Sequence, residues 1–320
     1  MQAWEWALEL RTELREFWLS DVGQRFGQGW SAYRSPLAQT YKTEPVHVIE
    51  SMKLAIASPF YVTDEMTDLL IHAAETFPPT EFQATDLPLD AGFVLFAKPI
   101  PTIDVHHKPV PWRAFSWGLA GRTDDPSVTA GVHIAIYDHR EEREGGAYWD
   151  EELMARVPQS STLMLTHETP WAFGHSVGAK WTPGTLGNEG VEISEEAIDS
   201  ALKMLNTIHA FWLLCWQRIG VPMNMQAGRQ VRRRAQRTDP SNRPIPDVRV
   251  ITLRRPKLKP TDEHRGGGVE YSHRFYVNGH WRRQWYPSEQ RHKPKWIHGY
   301  VKGPEDRPFR GKDVTFLWRR

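Results

Sequence analysis

Apolar residues recur at helical spacing from the start of the chain. Trp4, Leu8, Leu14 and Trp18 line one face of residues 4–19, and Glu5, Glu9, Glu13 and Glu16 fall away from it, which predicts an amphipathic helix. Gly23, Gly27 and Gly29 then predict a break in that pattern. Thr63-Asp64 can cap a second helix carrying Met66, Leu69, Leu70 and Ala73, which should stop before Pro78-Pro79. After that the apolar period shortens to that of strands. Residues 91–98, 112–119, 131–138 and 162–166 read as strands separated by Pro, Gly and Asp clusters, with Val132, Ile134 and Ile136 alternating against His133, Ala135 and Tyr137. Residues 194–218 form the clearest helical stripe, through Ile198, Leu202, Leu205, His209 and Trp212, ended by Gly220 and Pro222.

Residues 226–246 are polar, basic and interrupted by Pro240, Pro244 and Pro246, the composition of an exposed linker. Beyond it, residues 248–253, 269–277, 280–286, 295–301 and 314–318 read as further strands. The expected fold class is therefore α+β. An acidic domain over 1–225, an antiparallel sheet with packed helices, is joined by the linker 226–246 to a smaller, basic and mainly β domain over 247–320.

Charge sharpens that division. Up to Met225 the chain carries 16 Lys/Arg against 30 Asp/Glu, a net of −14, and from Gln226 onward 24 against 9, a net of +15. The near-neutral total conceals two opposed halves. A segment with so much positive charge attracts polyanions, and nucleic acid is the commonest polyanion inside cells. At 40% hydrophobic residues the chain can build real cores, so wholesale disorder is excluded. The single cysteine, Cys215, excludes an intrachain disulfide framework and a cysteine-based zinc knuckle, and its apolar neighbours mark it as a buried small hydrophobe. The N-terminus has neither a basic nor an apolar leader region and no stretch is long enough for a membrane span, so a cytoplasmic protein without membrane contact is expected. No phosphate-binding loop, dinucleotide fingerprint or nucleophile elbow occurs, so no cofactor is expected. Asp104 to His107, Asp138-His139 and His167-Glu168 with His175 lack diagnostic metal-ligand spacing, and no metal site is assigned. Oligomeric state is left open.

The most chemistry sits around Asn278-Gly279, which lies between two alternating runs and predicts a two-residue hairpin joining 271–277 to 280–286. Its pairing would put Arg274, Tyr276, Trp281, Arg283 and Trp285 on one face. That mixture suits single-stranded nucleic acid: bases stack on rings and guanidinium groups meet phosphates. Arg232, Arg233 and Arg234 in the linker, with Lys295 and Lys302 further on, extend the candidate nucleic-acid-binding set. The opposite face would gather His273, His280 and Arg282. These are the parts of a metal-independent nuclease or toxin-like ribonuclease, a base, an acid and a cation for the phosphorane. The same residues also fit the wet margin of a core.

Glu75-Thr76-Phe77-Pro78 through Asp86-Leu87-Pro88-Leu89-Asp90-Ala91-Gly92-Phe93 is one familiar stretch. Gly279-His280-Trp281-Arg282-Arg283-Gln284-Trp285-Tyr286-Pro287 through Trp296 to Pro304 is another. Together they resemble a set of proteins of high-GC bacteria, their plasmids and their phages. The resemblance implies a mobile-element or phage-host setting and transfers no catalytic residue. The leading expectation is a nucleic-acid-binding protein whose basic C-terminal domain makes the contact and whose acidic domain regulates it or binds a protein partner. The alternatives are the nuclease and an interaction module in which acidic and basic halves dock on each other.

Overall fold

The computed structural model describes residues 1–32, 44–103, 107, 109–120, 130–139, 162–176, 194–217, 219–239, 243–254 and 271–310. Its helices are α1 (Trp6–Leu19), α2 (Asp21–Ala32), α3 (Val46–Ile56), α4 (Asp64–Glu75), α5 (Glu195–Trp216) and α6 (Arg229–Thr238). The strands β1 (Ser58–Val62), β2 (Ala91–Ile100), β3 (Trp112–Ala120), β4 (Gly131–His139), β5 (Leu163–Ala172), β6 (Gly220–Met225) and β7 (Val248–Leu253) form one seven-stranded sheet in the order β5-β4-β3-β2-β1-β7-β6.

Helices cover the sheet on both faces, and this explains its composition. Phe60, Val94, Phe96, Phe115 and Trp117 point into a core shared with α4 and α5, where Phe211 and Trp212 meet them. Phe93, Leu95, Tyr137 and Val250 point the other way, into a core shared with Leu8, Leu14 and Trp18 of α1, Phe26 of α2 and Leu54 of α3. A strand buried on both faces loses its polar alternation, as the continuous burial along β4 shows. Ser194 Oγ accepts the Ala197 N–H at 3.2 Å and so caps α5 as its sequence predicts.

The fold is α+β, as expected, but the sheet is mixed rather than antiparallel: β1 runs parallel to both β2 and β7, and the other pairings are antiparallel. Helix α2 also runs through the three glycines expected to break the pattern. A Cβ at Gly23 would sit 1.9 Å from the Phe17 carbonyl oxygen, so the glycine lets α2 turn closely past the end of α1.

The expected linker is the largest correction. Residues 229–238 form α6, which docks on α1, and β7 pairs with β1 inside the main sheet, so the boundaries at 226 and 246 cut through one layer of structure. Val231, Arg234, Ala235 and Thr238 lie on one stripe of α6 at helical spacing. Ala235 is buried; Arg234 pairs with Glu9 and Glu16; Thr238 Oγ donates to Glu16 at 2.8 Å; and the Gly228 N–H donates to Glu5 at 2.6 Å. Hydrogen bonds from Arg234 help hold the Glu16 carboxyl below its usual range, against the burial that would raise it. A stripe built on an arginine looks like solvated charge until its carboxylate partners, on a helix more than two hundred positions earlier, are known.

Candidate nucleic-acid interface

The described C-terminal chain forms β8 (Phe275–Val277), β9 (His280–Tyr286), β10 (Arg291–Ile297) and β11 (Tyr300–Lys302). The expected hairpin of 271–277 with 280–286 does not form. Strand β9 pairs antiparallel with β10, and β8 pairs with β11, in two separate two-stranded sheets. Neither Asn278 nor Gly279 has a positive φ, which a type I′ turn requires at both positions. Gly279 serves a different need: a Cβ there would come within 2.6 Å of the Trp296 ring. The tight turn lies instead at 287–290, where Gln290 is left-handed (φ 51) and the Glu289 N–H donates to the Tyr286 carbonyl at 3.1 Å. The expected strand at 314–318 lies outside the described residues; of the one expected over 269–277 only Phe275–Val277 is strand among the described residues, with a bend at residues 272–273 and a single bridge from Arg274 to Phe309.

The β9–β10 hairpin is fastened to the α4–α5 face. Trp296 is buried and meets Trp281 edge-on at 5.2 Å; the Trp281 indole N–H donates to the Ala73 carbonyl at 2.8 Å. Gln217, just past α5, accepts the Trp296 backbone N–H at 2.9 Å and donates to the Pro294 carbonyl at 3.2 Å. Arg291 donates to Asp86 at 2.9 Å and to Thr85 at 2.8 Å, and His209 of α5 donates its Nε2–H to Asp86 at 3.3 Å. Burial pushes the Asp86 carboxyl up, yet His209, the Gln83 N–H and Arg291 outweigh it and leave it below its usual range. Burial keeps the His209 ring neutral at neutral pH, which fits its role as donor. A lowered carboxyl stabilises the fold above its unfolded value and loses that contribution as pH falls through the folded one. Asp86→Asn is therefore expected to cost about 2 kcal/mol and to open the hairpin to protease, measured by calorimetry and limited proteolysis. Unchanged protection would mean that the indole and Gln217 contacts suffice.

The exposed residues of this hairpin, taken over both its sides, are cationic and aromatic. Arg282 lies directly opposite Lys295 across the ladder, both exposed, and exposed Arg283, the next residue of β9, belongs to the other side. No carboxylate pairs with any of the three among the described residues; Arg282 donates only to Gln284. Like charges facing each other across strands are destabilising, so the arrangement is poised to gain from an anion. On the side of Arg283, which also carries half-buried Trp281 and buried Trp296, the Trp285 ring, 45% exposed, lies 5.1 Å from the exposed His292 ring. Tyr276, 54% exposed, stands on the neighbouring β8–β11 pair.

The other candidates divide. Trp281 is a core anchor and not a free platform. Arg274 is tied to the 307–310 segment, its Nε–H donating to the Arg307 carbonyl at 3.0 Å. The Lys302 ammonium lies over the Tyr271 ring at 4.8 Å. Arg234 is neutralised by Glu9 and Glu16, whereas half-buried Arg232 and exposed Arg233 have no hydrogen bond or ion pair among the described residues. His273, His280 and Arg282 are not joined. His273 meets Ser272 at 3.1 Å, His280 meets the Asn278 carbonyl at 3.0 Å, and His273 precedes a strand of a different sheet from the one holding His280 and Arg282. The Cys215 thiol, half-buried on α5, is pushed up to about 12 by burial and stays protonated, as expected of a packing residue. Among the described residues no three His, Cys, Asp or Glu side chains are grouped to hold a metal. No described helix is long and apolar enough to cross a membrane.

One cluster has no counterpart in the sequence reading. In the α3 core, fully buried Glu50 pairs with Lys53 and accepts hydrogen bonds from Ser116 at 3.0 Å and from Tyr137. Lys53 donates to His133 Nδ1 at 3.2 Å, His133 Nε2–H donates to Glu168 at 2.9 Å, and the Trp30 indole donates to Glu168 at 3.1 Å. These residues come from α2, α3, β3, β4 and β5, so no local spacing announces them. The network ties two helices to the sheet through polar bonds that close on one another.

Compared with known proteins, the chain matches no family model and no curated protein. Among solved structures it is similar to the crystal structure of AcrVA2, with 11% identity, 85% of each chain covered and a TM-score of 0.38. At that level the fold rests on the chain's own topology.

Proposed function

We propose that the protein binds nucleic acid through the exposed residues of the β9–β10 hairpin, with a strand passing round it to meet both its sides, in the mobile-element or phage-host setting that the resemblance implies. Arg282, Arg283 and Lys295 meet phosphates, and Trp285 with His292 offers a ring surface for unpaired bases. The observation that carries this reading is selective pairing. Among the described residues the ion pairs that join the basic region to the acidic one are those of Arg234, Arg291 and Lys293, while Arg282, Arg283 and Lys295 pair with no carboxylate. Internal neutralisation, the basis of the interaction-module alternative, thus leaves a cationic surface over. The nuclease alternative needs His273 and His280 to converge on one phosphate; His273 precedes a strand of one sheet, His280 begins a strand of the other, and among the described residues no contact joins them.

The test is the double reversal Arg282→Glu/Arg283→Glu in the full chain. Both side chains are exposed and outside the core, so the melting temperature is expected to hold. Affinity for single-stranded DNA or RNA should fall at least about tenfold, with a salt slope shallower by about 1.4 for the two phosphate contacts. Equal binding by both proteins would remove the hairpin from the interface.

A further inference from the structure

Helix α6 carries five arginines in ten residues, and among the described residues only Arg234 has an ion-pair partner. Its docking stripe turns the remaining arginines outward. Arg229, Arg232 and Arg233, with Gln226 and Gln236, line an open groove of about 550 Å³ floored by Ala227 and Ile245. None of these arginines, nor Arg237, has a hydrogen bond or ion pair among the described residues. Arg229 and Arg233, and Arg233 and Arg237, stand four residues apart on the helix, a spacing at which like charges repel. The helix holds these charges together only because its other face is fixed to α1.

We infer that this groove is a second nucleic-acid site, one that takes the phosphodiester backbone without reading bases. Arg229 to Arg237 span about 12 Å of helix, a line of guanidinium groups suited to successive phosphates of one strand and too long for a single phosphate group. No aromatic ring lines the groove, so no base can stack there, in contrast to Trp285 and His292 on the hairpin. The two sites lie on opposite faces of the sheet: α6 belongs to the core with α1, and Trp281 and Trp296 belong to the core with α4 and α5. A short strand can occupy one site, and only a longer one can reach round the sheet to both. The sites are thus independent in binding and additive in length.

The experiment compares wild-type full chain, the triple variant Arg229→Gln/Arg232→Gln/Arg233→Gln, and Arg282→Glu/Arg283→Glu. Each is titrated with single-stranded oligonucleotides of about 10 and about 40 nucleotides, with polyglutamate as a competing polyanion. The triple variant is expected to melt as wild type does and to bind one short oligonucleotide, at the hairpin, where wild type binds two. It should bind the long one at least about tenfold more weakly, with a salt slope shallower by about 2. Unchanged binding of the long oligonucleotide would overturn the inference. So would polyglutamate competing as well as the oligonucleotide, since the groove would then be an acidic-protein surface. If the triple variant loses the long oligonucleotide while the hairpin reversal keeps it, the groove stands and the hairpin reading falls.

Discussion

Lys53→Met is expected to lower the unfolding free energy by about 3–5 kcal/mol, the usual cost of leaving a buried charge without its partner. Glu50 is wholly buried, and among the described residues Lys53 is the lysine or arginine paired with it, with His133 Nδ1 3.4 Å away. Burial pushes the Glu50 carboxyl up, but Lys53, with His133 beside it, overcomes that and holds the group at about 2. Burial alone holds the Lys53 ammonium below its usual range against the pull of Glu50 and Glu168. These directions disagree on whether pairing or burial governs the pair. Pairing governs at neutral pH, because a lysine starts near 10.4 and can fall a long way before losing its proton there. The sign follows from the depressed carboxyl. Glu50 stabilises the fold fully above its unfolded value of about 4.3, and that contribution is lost as pH falls toward 2. In Lys53→Met burial acts on the carboxyl without its main counter-charge and raises it, so the sign reverses: the gap to wild type should narrow as pH falls and Glu50 takes up a proton. Adding Glu50→Gln should restore part of the loss by removing the orphaned charge. Chemical denaturation across pH measures all three. A Lys53→Met protein as stable as wild type would mean that the network is solvated and contributes little.

The second large effect separates two tryptophans that look alike in the sequence. Trp281→Ala is expected to cost about 3 kcal/mol, because the ring fills the space between Phe77 and Trp296 and its indole satisfies the Ala73 carbonyl. Trp285→Ala should leave stability within about 0.5 kcal/mol, and should weaken binding of single strands by the loss of one stacked base, about 1–3 kcal/mol. Melting curves and anisotropy titrations of the two variants form a double dissociation. If Trp285→Ala melts early and binds normally, its ring is structural and the platform lies elsewhere.

This contrast shows what was legible. Strands 91–98, 112–119 and 131–138 and the helices at 4–19 and 194–218 declared themselves, since each has a one-sided or continuous apolar pattern that burial makes obligatory. Helix α6 did not, because its inner stripe uses Arg234, and an arginine counts as polar whether it faces water or the carboxylates of Glu9 and Glu16. The hairpin was assigned to the wrong pair of strands because Asn278-Gly279 carries the turn signal, while the glycine is required for close approach to Trp296. Alternation along the expected hairpin puts exposed Arg283 and Trp285 on one side and Arg282 on the other, with the histidines of the nuclease set. Trp281 was placed with Arg283 and Trp285 because alternation along β9 does say which residues share a side, but not that one end of that side is sealed against α4. The Glu50–Lys53–His133–Glu168 cluster joins positions far apart in sequence, and only the sheet order brings them together.

The most direct test of the central claim is the salt dependence of binding, wild type beside Arg282→Glu/Arg283→Glu, on one labelled single strand. Nucleic-acid binding through the hairpin predicts a linear fall of log affinity with log salt for the wild type, and a slope shallower by about 1.4 for the reversal. No binding by the wild type at low salt, or two identical slopes, would contradict it.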